Sequence, residues 1–510
     1  MEEEIKINVN KVAKGVMIFF LGTIISKIFS YFYRIVVARY LGPEAYGILA
    51  LGLGILGIAS ILAVFGLPTG VLRFVSFYKG KEDKEKMRGV ILSSLKIGIP
   101  ISIFMMILLI LLRDYISLNI FNTPGLSTIL FIFALLIPFV VIGSNLEYVV
   151  QAIQQVKYNV FIRQISENGL QLFLAILLIT IGFGVNGAAL AYALALVSSA
   201  IFFFLVLEKK LKIINQKAQS KEVSKELLSY SWPLIFSSLF SSVNLWIDST
   251  FIGYFKGATQ VGLYNAALPT STLLTMVPGA VILMFMPIIT SLYSKGENNE
   301  IKKLYNSVTK WIFLFNLPLM LILCIFSKEI LVILFGGVYQ QAYTSLILLS
   351  VGYFVLSFGL TSQYVLRMLS KTKLLLLNTA IVLAINVLLN ILLIPRFGIS
   401  GAAASVAITL IIHQIIIVIE AHKFLGVQPY SFKYINMLLS AAVIFIPLFY
   451  IKEIIHIEAI LLIFVIILSY ILYLILAIIF RSLGTSDKYV IDALQKKFSI
   501  NLSFLNRFIK

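Results

Sequence analysis

The sequence predicts an all-α integral membrane protein with about 14 transmembrane helices. Hydrophobic residues make up 60% of the 510 residues, charged residues only 12%, and the mean hydropathy is +1.01, whereas soluble domains are about 25% charged. The apolar residues fall into long runs, and about 20 such residues span a bilayer. Stretches of the first part recur in the second, which predicts two pseudo-symmetric six-helix bundles followed by two C-terminal helices.

The predicted spans follow the apolar runs in order. They lie at about 12–33, 48–71, 89–112, 126–146, 164–182, 186–207, 229–253, 262–290, 309–327, 343–366, 374–394, 399–419, 436–451 and 459–480. These spans predict an N-terminal six-helix bundle at 1–226, a C-terminal bundle at 227–435, two additional helices at 436–481 and a cytoplasmic amphipathic tail at 482–510.

The distribution of basic residues predicts the orientation. With 14 spans both termini share one side, and about 32 of the 41 Lys and Arg residues fall in the segments on that side, against about 7 on the other. Cytoplasmic loops carry such an excess, so both termini are predicted to be cytoplasmic in a multi-pass protein of the cell membrane. The net charge of +19 is then a topology signal and a contact for anionic lipids, and nucleic acid is not an expected partner.

Cysteine and histidine usage argues against a metal site or cofactor. The single Cys324 excludes a disulfide within the chain, and the three histidines, His413, His422 and His456, lack the spacing of metal ligands. We therefore expect no cofactor, and coupling to Na⁺ or H⁺ stays open.

Three pairs of matching stretches indicate an internal repeat, because they occur in the same order at nearly the same separation along the chain. The pairs are Gly42–Gly47 with Gly257–Gly262, Glu147–Lys157 with Gln363–Lys373, and Phe183–Ala189 with Phe397–Ala403. Six spans per copy give both copies one orientation. Like-oriented repeats are typical of transporters that work by alternating access, with the substrate site between them near the midplane.

Span 1 and the turn after it carry the first group of candidate binding residues. Lys27, Tyr31 and Arg34 stand at i, i+4 and i+7 on one helical face, and Arg39 follows. Snorkelling to the membrane surface explains Arg34 and Arg39. It explains Lys27 less well, since an ammonium at the centre of a membrane helix costs about 2.5–3.5 kcal/mol. Lys27 is therefore predicted to line a polar cavity.

Span 7 provides a second group. Asp248 occupies the position equivalent to Tyr33 of span 1 and shares its helical face with Asn244. A substrate or coupling role for Asp248 and a structural ion pair both remain open. For Arg73, at the end of span 2, a headgroup contact and a substrate contact remain equally open. Arg163 and Glu167, at i and i+4 near the predicted cytoplasmic start of span 5, are expected to pair with each other.

Two segments resemble the Wzx-like polysaccharide flippases of the multidrug/oligosaccharidyl-lipid/polysaccharide exporter superfamily. They are the turn Leu41–Gly47 and the segment Asp248–Asn265, and a basic cytoplasmic loop after span 2 accompanies them. The resemblance covers about the whole chain. It implies a fold like those of the multidrug exporters and lipid II flippases, and transport of lipid-linked oligosaccharides from the inner to the outer leaflet.

In the related lipid II flippases, spans 1, 2, 7 and 8 line a cationic central cavity. Carried onto this chain, the resemblance implies cavity roles for Lys27, Arg34, Arg39, Arg73 and Asp248. Lys or Arg lowers the barrier for a polyprenyl or dolichyl phosphate or pyrophosphate headgroup in a low-dielectric region. Tyr31 could stack on a sugar ring, although core packing is the commoner role of a membrane tyrosine.

Two other functions compete with this interpretation. A cation-coupled multidrug exporter tends to need a buried acid in its first half, whereas span 1 offers Lys27 and no acid, which favours an anionic cargo. A polysaccharide polymerase or ligase would need a long extracytoplasmic loop with catalytic groups, and no predicted extracytoplasmic loop exceeds about 15 residues. The chain is therefore expected to be a monomeric transporter and not an enzyme.

Overall fold

The computed structural model describes residues 2–211, 221–429, 432–454 and 459–482, together with residues 484, 487 and 495, and within these residues it contains helices and no strand. The helices are α1 (Glu2–Val64), α2 (Leu67–Gly80), α3 (Lys84–Asp114), α4 (Gly125–Ala134), α5 (Ile137–Ala152), α6 (Val156–Asn159), α7 (Glu167–Thr180), α8 (Gly184–Leu211), α9 (Ser224–Ser231), α10 (Leu234–Lys256), α11 (Ala258–Ser271), α12 (Met276–Ser294), α13 (Asn298–Ile325), α14 (Ser327–Phe335), α15 (Tyr343–Met368), α16 (Thr372–Leu425), α17 (Lys433–Ile454) and α18 (Ala459–Ile479). Short π-helical segments at Tyr115–Ile120 and Val160–Ser166 and 3₁₀ segments at Thr272–Thr275 and Gly337–Ala342 complete the set.

The lengths of the helices confirm an all-α membrane fold. Among the described residues, nine helices are long and apolar enough to cross a membrane, or ten with the bent pair α4–α5. Two of them, Leu21–Val64 with 44 residues and Thr372–Leu425 with 54, are longer than one crossing needs, since 44 residues extend about 66 Å at 1.5 Å per residue against a hydrocarbon core of about 30 Å. They break at Gly42 and Gly398. Each therefore matches two predicted spans, while the total of 14 stays a prediction.

Breaks in the backbone recur at the interval that the sequence motifs predict. Gly42 (φ 80°, ψ 175°) and its counterpart in the second copy, Gly257 (φ 80°, ψ 174°), have the same conformation. Positive φ values recur at nearly the same separation in four further pairs: Glu82 and Gly296, Asn122 and Gly336, Gln154 and Ser370, and Gly184 and Gly398. The repeat therefore extends beyond sequence similarity to the places where helices end.

The chain forms two compact units, Met1–Ala266 and Ala267–Lys510. The first unit includes α10 and the start of α11, which the sequence analysis assigned to the second bundle. The boundaries predicted at 226, 435 and 481 stay predictions. The core of the first unit lies between α2, α3, α5, α8 and α9, where Leu67, Val90, Val149, Phe203 and Leu227 are almost fully buried.

The two glycine turns of the repeat meet inside the first unit. A side chain at Gly47 would collide with the carbonyl oxygen of Ala258, and one at Gly262 would collide with that of Pro43. Because Pro43 and Ala258 are equivalent positions, as are Gly47 and Gly262, the contact is reciprocal. Glycine lets the second part of α1 and α11 approach at backbone distance.

In the second unit, α17 and α18 pack against α13. The ring centroids of Phe313 and Tyr434 lie 4.6 Å apart, and the hydroxyl of Tyr470 donates to the carbonyl oxygen of Phe315 at 3.0 Å. Aromatic and aliphatic side chains fill the space between these helices. The two C-terminal helices are therefore part of the core of this unit.

A fully buried carboxylate after α18 also binds α13. Asp487 forms an ion pair with Lys310, and it accepts hydrogen bonds from Ser307 at 2.7 Å, from the indole of Trp311 at 3.0 Å and from the backbone of Gly484 at 2.6 Å. These donors satisfy both carboxylate oxygens. Apart from residues 482, 484, 487 and 495, the predicted amphipathic tail at 482–510 lies outside the described residues.

Candidate functional site

The first unit encloses a polar cavity of about 430 Å³. Its volume lies in the range of small-molecule sites, about 300–1,000 Å³. Its polar lining comprises Ser26, Ser30, Tyr33, Arg34, Tyr46, Ser60, Arg163, Gln164, Glu167, Asn168, Gln171, Tyr192 and Asn265. Its apolar lining comprises Leu49, Ala50, Leu53, Leu56, Gly57, Val140, Leu196 and Trp246.

Helical periodicity on α1 explains one wall of the cavity. Ser26, Ser30, Tyr33 and Arg34 follow the i, i+4, i+7, i+8 pattern of one helical face before the break at Gly42. After the break the helix presents a face from Tyr46 to Ser60. The wall thus changes from polar and cationic to mainly apolar at the glycine turn.

Arg163 and Glu167 form the central ion pair of the opposite wall. Nη1 of Arg163 donates to both carboxylate oxygens of Glu167, at 2.7 and 2.6 Å, and Nε lies 3.5 Å from the carboxylate of Glu147. The predicted pairing is therefore confirmed. Its position differs from the expectation, because the helical run begins at Val156 and not at 164, so the pair lies about two turns inside the span. Charges at such depth usually face an interior and mark a functional path.

Arg34 is the second cation of the cavity and differs from Arg163 in its partners. Its guanidinium lies close to the hydroxyl of Tyr46, which donates a hydrogen bond to the carbonyl oxygen of Asn265 at 3.0 Å. Among the described residues no carboxylate forms an ion pair with Arg34. Its positive charge therefore remains available to an anion.

Neutral polar groups surround the two arginines. The hydroxyl of Tyr33 donates to the carbonyl oxygen of Ala188 at 3.1 Å, and the amide of Asn168 donates to the hydroxyl of Ser26 at 3.1 Å. Within the described part of the chain, the side-chain oxygens of Ser60 and Gln164 are buried without a hydrogen-bond partner. Because buried polar atoms are normally hydrogen-bonded, these two oxygens are unsatisfied polar groups of residues that line the cavity.

Trp246 contributes an aromatic surface next to these polar groups. Its indole lies against Gly54 and Gly57 of α1, and a side chain at Gly57 would come within 2.9 Å of Nε1. The glycines therefore leave the space that the indole occupies. The cavity thus combines a cation, hydrogen-bonding groups and an aromatic face, which together suit a sugar that carries a phosphate.

The structure places the seven predicted binding residues, all of them described, in different surroundings. Arg34 lines the cavity, whereas the other six lie elsewhere. Lys27 and Arg39 are exposed on α1, Tyr31 is half-buried there, Asn244 is exposed on α10, and Asp248 is buried on α10. Arg73 is exposed on α2, where its guanidinium stacks 4.3 Å from the ring centroid of Tyr230. The roles predicted for these six residues stay predictions.

Most of the wall around Arg163 was not predicted from the sequence. Arg163 and Glu167 were expected as a pair at a helix end, and Gln164, Asn168 and Gln171 were not among the candidates. A signal was present, since residues 163, 164, 167, 168 and 171 place five polar side chains on one face of an otherwise apolar helix. In a membrane such a face predicts contact with a polar interior.

The described residues contain no group of three or more His, Cys, Asp or Glu side chains that could hold a metal ion. The cavity instead presents guanidinium, amide and hydroxyl groups, which are donors to an anion. Its chemistry is that of ligand binding.

Family comparisons agree with this architecture. The model of the polysaccharide biosynthesis protein family matches residues 12–293, more than half of the chain. The chain belongs to this family. The MatE family model matches residues 233–392.

One curated relative and two solved structures each match most of this chain. The "Probable low-salt glycan biosynthesis flippase Agl15" of Haloferax volcanii is 27% identical over 419 residues, which cover 80% of this chain and 84% of that protein. The solved structure of the lipid II flippase MurJ in an inward closed conformation has a TM-score of 0.71 at 17% identity and covers 91% of this chain and 99% of that chain. An inward-facing multidrug resistance MATE family transporter has a TM-score of 0.66 at 17% identity, with 79% and 94% coverage. Both structures show the fold alone.

Proposed function

We propose that this protein is a flippase that moves lipid-linked oligosaccharides across the cell membrane by alternating access, for the assembly of cell-surface glycans. Membership of the polysaccharide biosynthesis protein family and similarity to a glycan biosynthesis flippase support this function. The substrate carries a phosphate or pyrophosphate between its sugar and its polyprenyl or dolichyl tail. The tail stays in the lipid while the polar head crosses.

The observation that carries the proposal is Arg34 in the cavity of the first unit, without a carboxylate partner among the described residues. A phosphate binds a guanidinium through charge-assisted hydrogen bonds. Gln164, Asn168 and Gln171 can hydrogen-bond to sugar hydroxyls, and Trp246 offers a ring face. Arg163 is already neutralised by Glu167 at 2.6 Å, so Arg34 is the principal anion contact in this proposal.

Reconstitution tests the proposal directly. Purified protein in liposomes is given a fluorescent short-chain lipid-pyrophosphate oligosaccharide, and its transfer between leaflets is followed by quenching from one side. We expect Arg34→Gln to slow transfer at least tenfold, because a hydrogen bond to a charged group contributes about 1.5–3 kcal/mol. Arg396→Gln, which removes an exposed arginine away from the cavity, is the matched control and should leave the rate unchanged.

Lys27→Ala belongs in the same experiment, because the sequence analysis places Lys27 on the path of the anion. A slower rate would support that role, and an unchanged rate would remove Lys27 from the path. Equal rates for the wild type and Arg34→Gln would remove the cavity from the transport route.

The proposal also includes cytoplasmic termini and a single chain as the working unit. Labelling with a membrane-impermeant maleimide tests the orientation in a background where Cys324 is replaced by Ala. Lys328→Cys should react in intact cells, whereas Lys221→Cys should react only after permeabilisation. The reverse pattern would invert the topology.

A cation-coupled multidrug exporter is the second candidate, and the MatE match over residues 233–392 favours it. Such an exporter needs an acid that is available to an organic cation. In the cavity, Glu167 is held by Arg163, which disfavours this use. Efflux of ethidium from vesicles under an imposed Na⁺ or H⁺ gradient, without any oligosaccharide transfer, would establish the exporter in place of the flippase.

A further inference from the structure

A second cavity lies on the outside of the first unit, between α8 and the helical run that begins at Val156. This groove has a volume of about 300 Å³. Its lining consists of Tyr158, Phe161 and Ile162 on one side, and Phe202, Leu205, Val206, Lys209 and Lys210 on the other. Phe161, Phe202 and Leu205 are among its exposed apolar side chains.

The groove is amphipathic along its length. On α8, residues 202, 205, 206, 209 and 210 follow one another on a single helical face, so the wall changes from apolar to cationic toward the end of the helix. Lys209 and Lys210 are exposed, and within the described residues neither has a carboxylate partner. On the other wall, Lys157 precedes Tyr158 in the sequence, and its ammonium lies 5.0 Å from the ring centroid of Tyr158.

The arrangement of charge decides what the groove fits. An apolar groove that ends in ammonium groups complements an acyl chain attached to an anionic headgroup. The loop after α8 is predicted to be cytoplasmic, and the cytoplasmic leaflet is the leaflet that carries the anionic lipids. The acyl chain of a zwitterionic lipid would make the same apolar contacts with the groove, but its headgroup has no net charge for the two lysines to attract.

The groove and the polar cavity share one structural element. The π-helical segment Val160–Ser166 presents Phe161 and Ile162 to the groove, and Arg163 and Gln164 to the cavity. π-helical turns are rare and occur frequently at functional sites. A ligand in the groove therefore contacts the same short segment that positions Arg163.

We propose that this groove binds one anionic phospholipid of the bilayer, with its phosphate at Lys209 and Lys210, and that the bound lipid stabilises the π-helical segment that carries Arg163. The lipid site stands independently of the transported substrate. Its influence on Arg163 rests on the proposed function of the cavity. Linkage requires that a ligand held by Arg163 would strengthen lipid binding by the same factor.

Native mass spectrometry of the full-length protein in detergent tests the lipid site, with phosphatidylglycerol and phosphatidylcholine of identical acyl chains as probes. We expect the wild type to bind phosphatidylglycerol more tightly. Lys209→Gln with Lys210→Gln should lower the affinity for phosphatidylglycerol roughly fivefold per lysine and leave the affinity for phosphatidylcholine unchanged. Leu205→Trp places a larger side chain in the apolar part of the groove and should lower the affinity for both lipids.

The matched control is Lys371→Gln with Lys373→Gln. It removes the same charge from two exposed lysines that are predicted to lie on the same side of the membrane. Equal affinity of the wild type for the two lipids would mean that the groove holds ordinary annular lipid, and would overturn the proposal. An equal loss of phosphatidylglycerol affinity in the Lys209→Gln/Lys210→Gln and Lys371→Gln/Lys373→Gln variants would overturn the placement of the phosphate at Lys209 and Lys210.

Hydrogen–deuterium exchange tests the connection to the cavity. Phosphatidylglycerol should slow exchange of the amides in residues 160–166 several-fold in the wild type, and should have no such effect in the Lys209→Gln/Lys210→Gln variant. If phosphatidylglycerol binds without slowing these amides, the influence on Arg163 is refuted while the lipid site stands.

Discussion

Lys96 on α3 and Lys310 on α13 occupy equivalent positions in the two copies of the repeat, at the separation that relates Glu82 to Gly296, and both form ion pairs. Lys96 pairs with Glu222 at 3.0 Å on the surface, where the two side chains are 73% and 65% exposed. Lys310 pairs with Asp487 in the interior, where the corresponding values are 5% and 0%. The repeat thus conserves the position of the cation, while packing decides whether its partner matters for stability.

The polar cavity shows the same divergence. The offset that relates Gln154 to Ser370 also places Thr379 and Leu383 at the positions of Arg163 and Glu167. In the second copy, the buried polar residues of the part of α16 before Gly398 are neutral; they are Asn378, Asn386 and Asn390. The two copies have similar backbone turns but different side chains. Substitutions at equivalent positions therefore distinguish the effects of the shared backbone from the effects of the side chains that differ between the copies.

The largest effect is expected at the buried ion pair. Asp487→Asn leaves the ammonium of Lys310 buried without a counter-ion and should lower the free energy of unfolding by about 3–5 kcal/mol. Denaturant unfolding in detergent measures this loss. Replacing both partners, as Lys310→Met with Asp487→Asn, should recover most of the stability. A double variant as unstable as the single one would contradict the electrostatic cause.

A smaller loss of stability than that of Asp487→Asn is expected at the two glycine turns, and it should be the same at both turns. Gly42 and Gly257 have φ near 80° and ψ near 175°, a region that is essentially restricted to glycine and costs other residues about 1–3 kcal/mol. Gly42→Ala and Gly257→Ala should therefore destabilise the protein by similar amounts, because no atom would lie within 4 Å of either new side chain. Gly279→Ala within α12 is the control and should not destabilise. Unequal losses at the two turns would mean that the copies differ in strain.

The cavity residues should affect transport more than folding. Arg163→Thr with Glu167→Leu and Glu147→Gln gives the first copy the equivalent residues of the second, and it removes all three charges of the cluster together. We expect at least tenfold slower oligosaccharide transfer, equivalent to about 1.4 kcal/mol, with the melting temperature retained. Thr379→Val in the second copy is the control. Unchanged transfer in this triple variant would show that only the geometry of the repeat is needed.

The smallest effect is expected at the surface ion pair. Hydrogen bonds from Lys96 and Ser224 lower the pKa of Glu222, so the carboxylate stays charged at neutral pH and any contribution is lost only as the pH falls through the acidic range. Both groups are largely in solvent, where such pairs contribute little. Glu222→Gln should leave the melting temperature unchanged at pH 7. A loss comparable to that of Asp487→Asn would erase the contrast between the two pairs.

Local patterns predicted the repeat and the class of fold well. The glycine motifs marked the turns at Gly42 and Gly257 because a positive φ leaves a direct trace in residue choice. Arg34 was one of the predicted cavity residues and lines the cavity, whereas Lys27 and Tyr31 of the same predicted face do not; the role of Arg34 in binding stays a prediction. Lys27 itself is exposed in the structure, and its neighbour Ser26 faces the cavity, because one residue corresponds to a rotation of about 100° around a helix.

Interactions between distant segments could not be predicted in the same way. The position of Arg163 depended on where its helical run begins, and element boundaries are the least certain part of such a prediction. The partner of Lys310 lies 177 residues away, and no periodicity connects the two. The groove at Lys209 and Lys210 requires two helices side by side, so the sequence showed only a basic helix end.

The pairing of Lys310 with Asp487 also constrains how the protein is made. Lys310 leaves the ribosome 177 residues before the carboxylate that neutralises it, so α13 enters the membrane while its counter-ion has not yet been synthesised. Until then the ammonium of Lys310, near the start of predicted span 309–327, lacks the counter-ion that its burial requires. During translation of the intervening helices, α13 therefore lacks its final packing, which can form only after Asp487 has been synthesised.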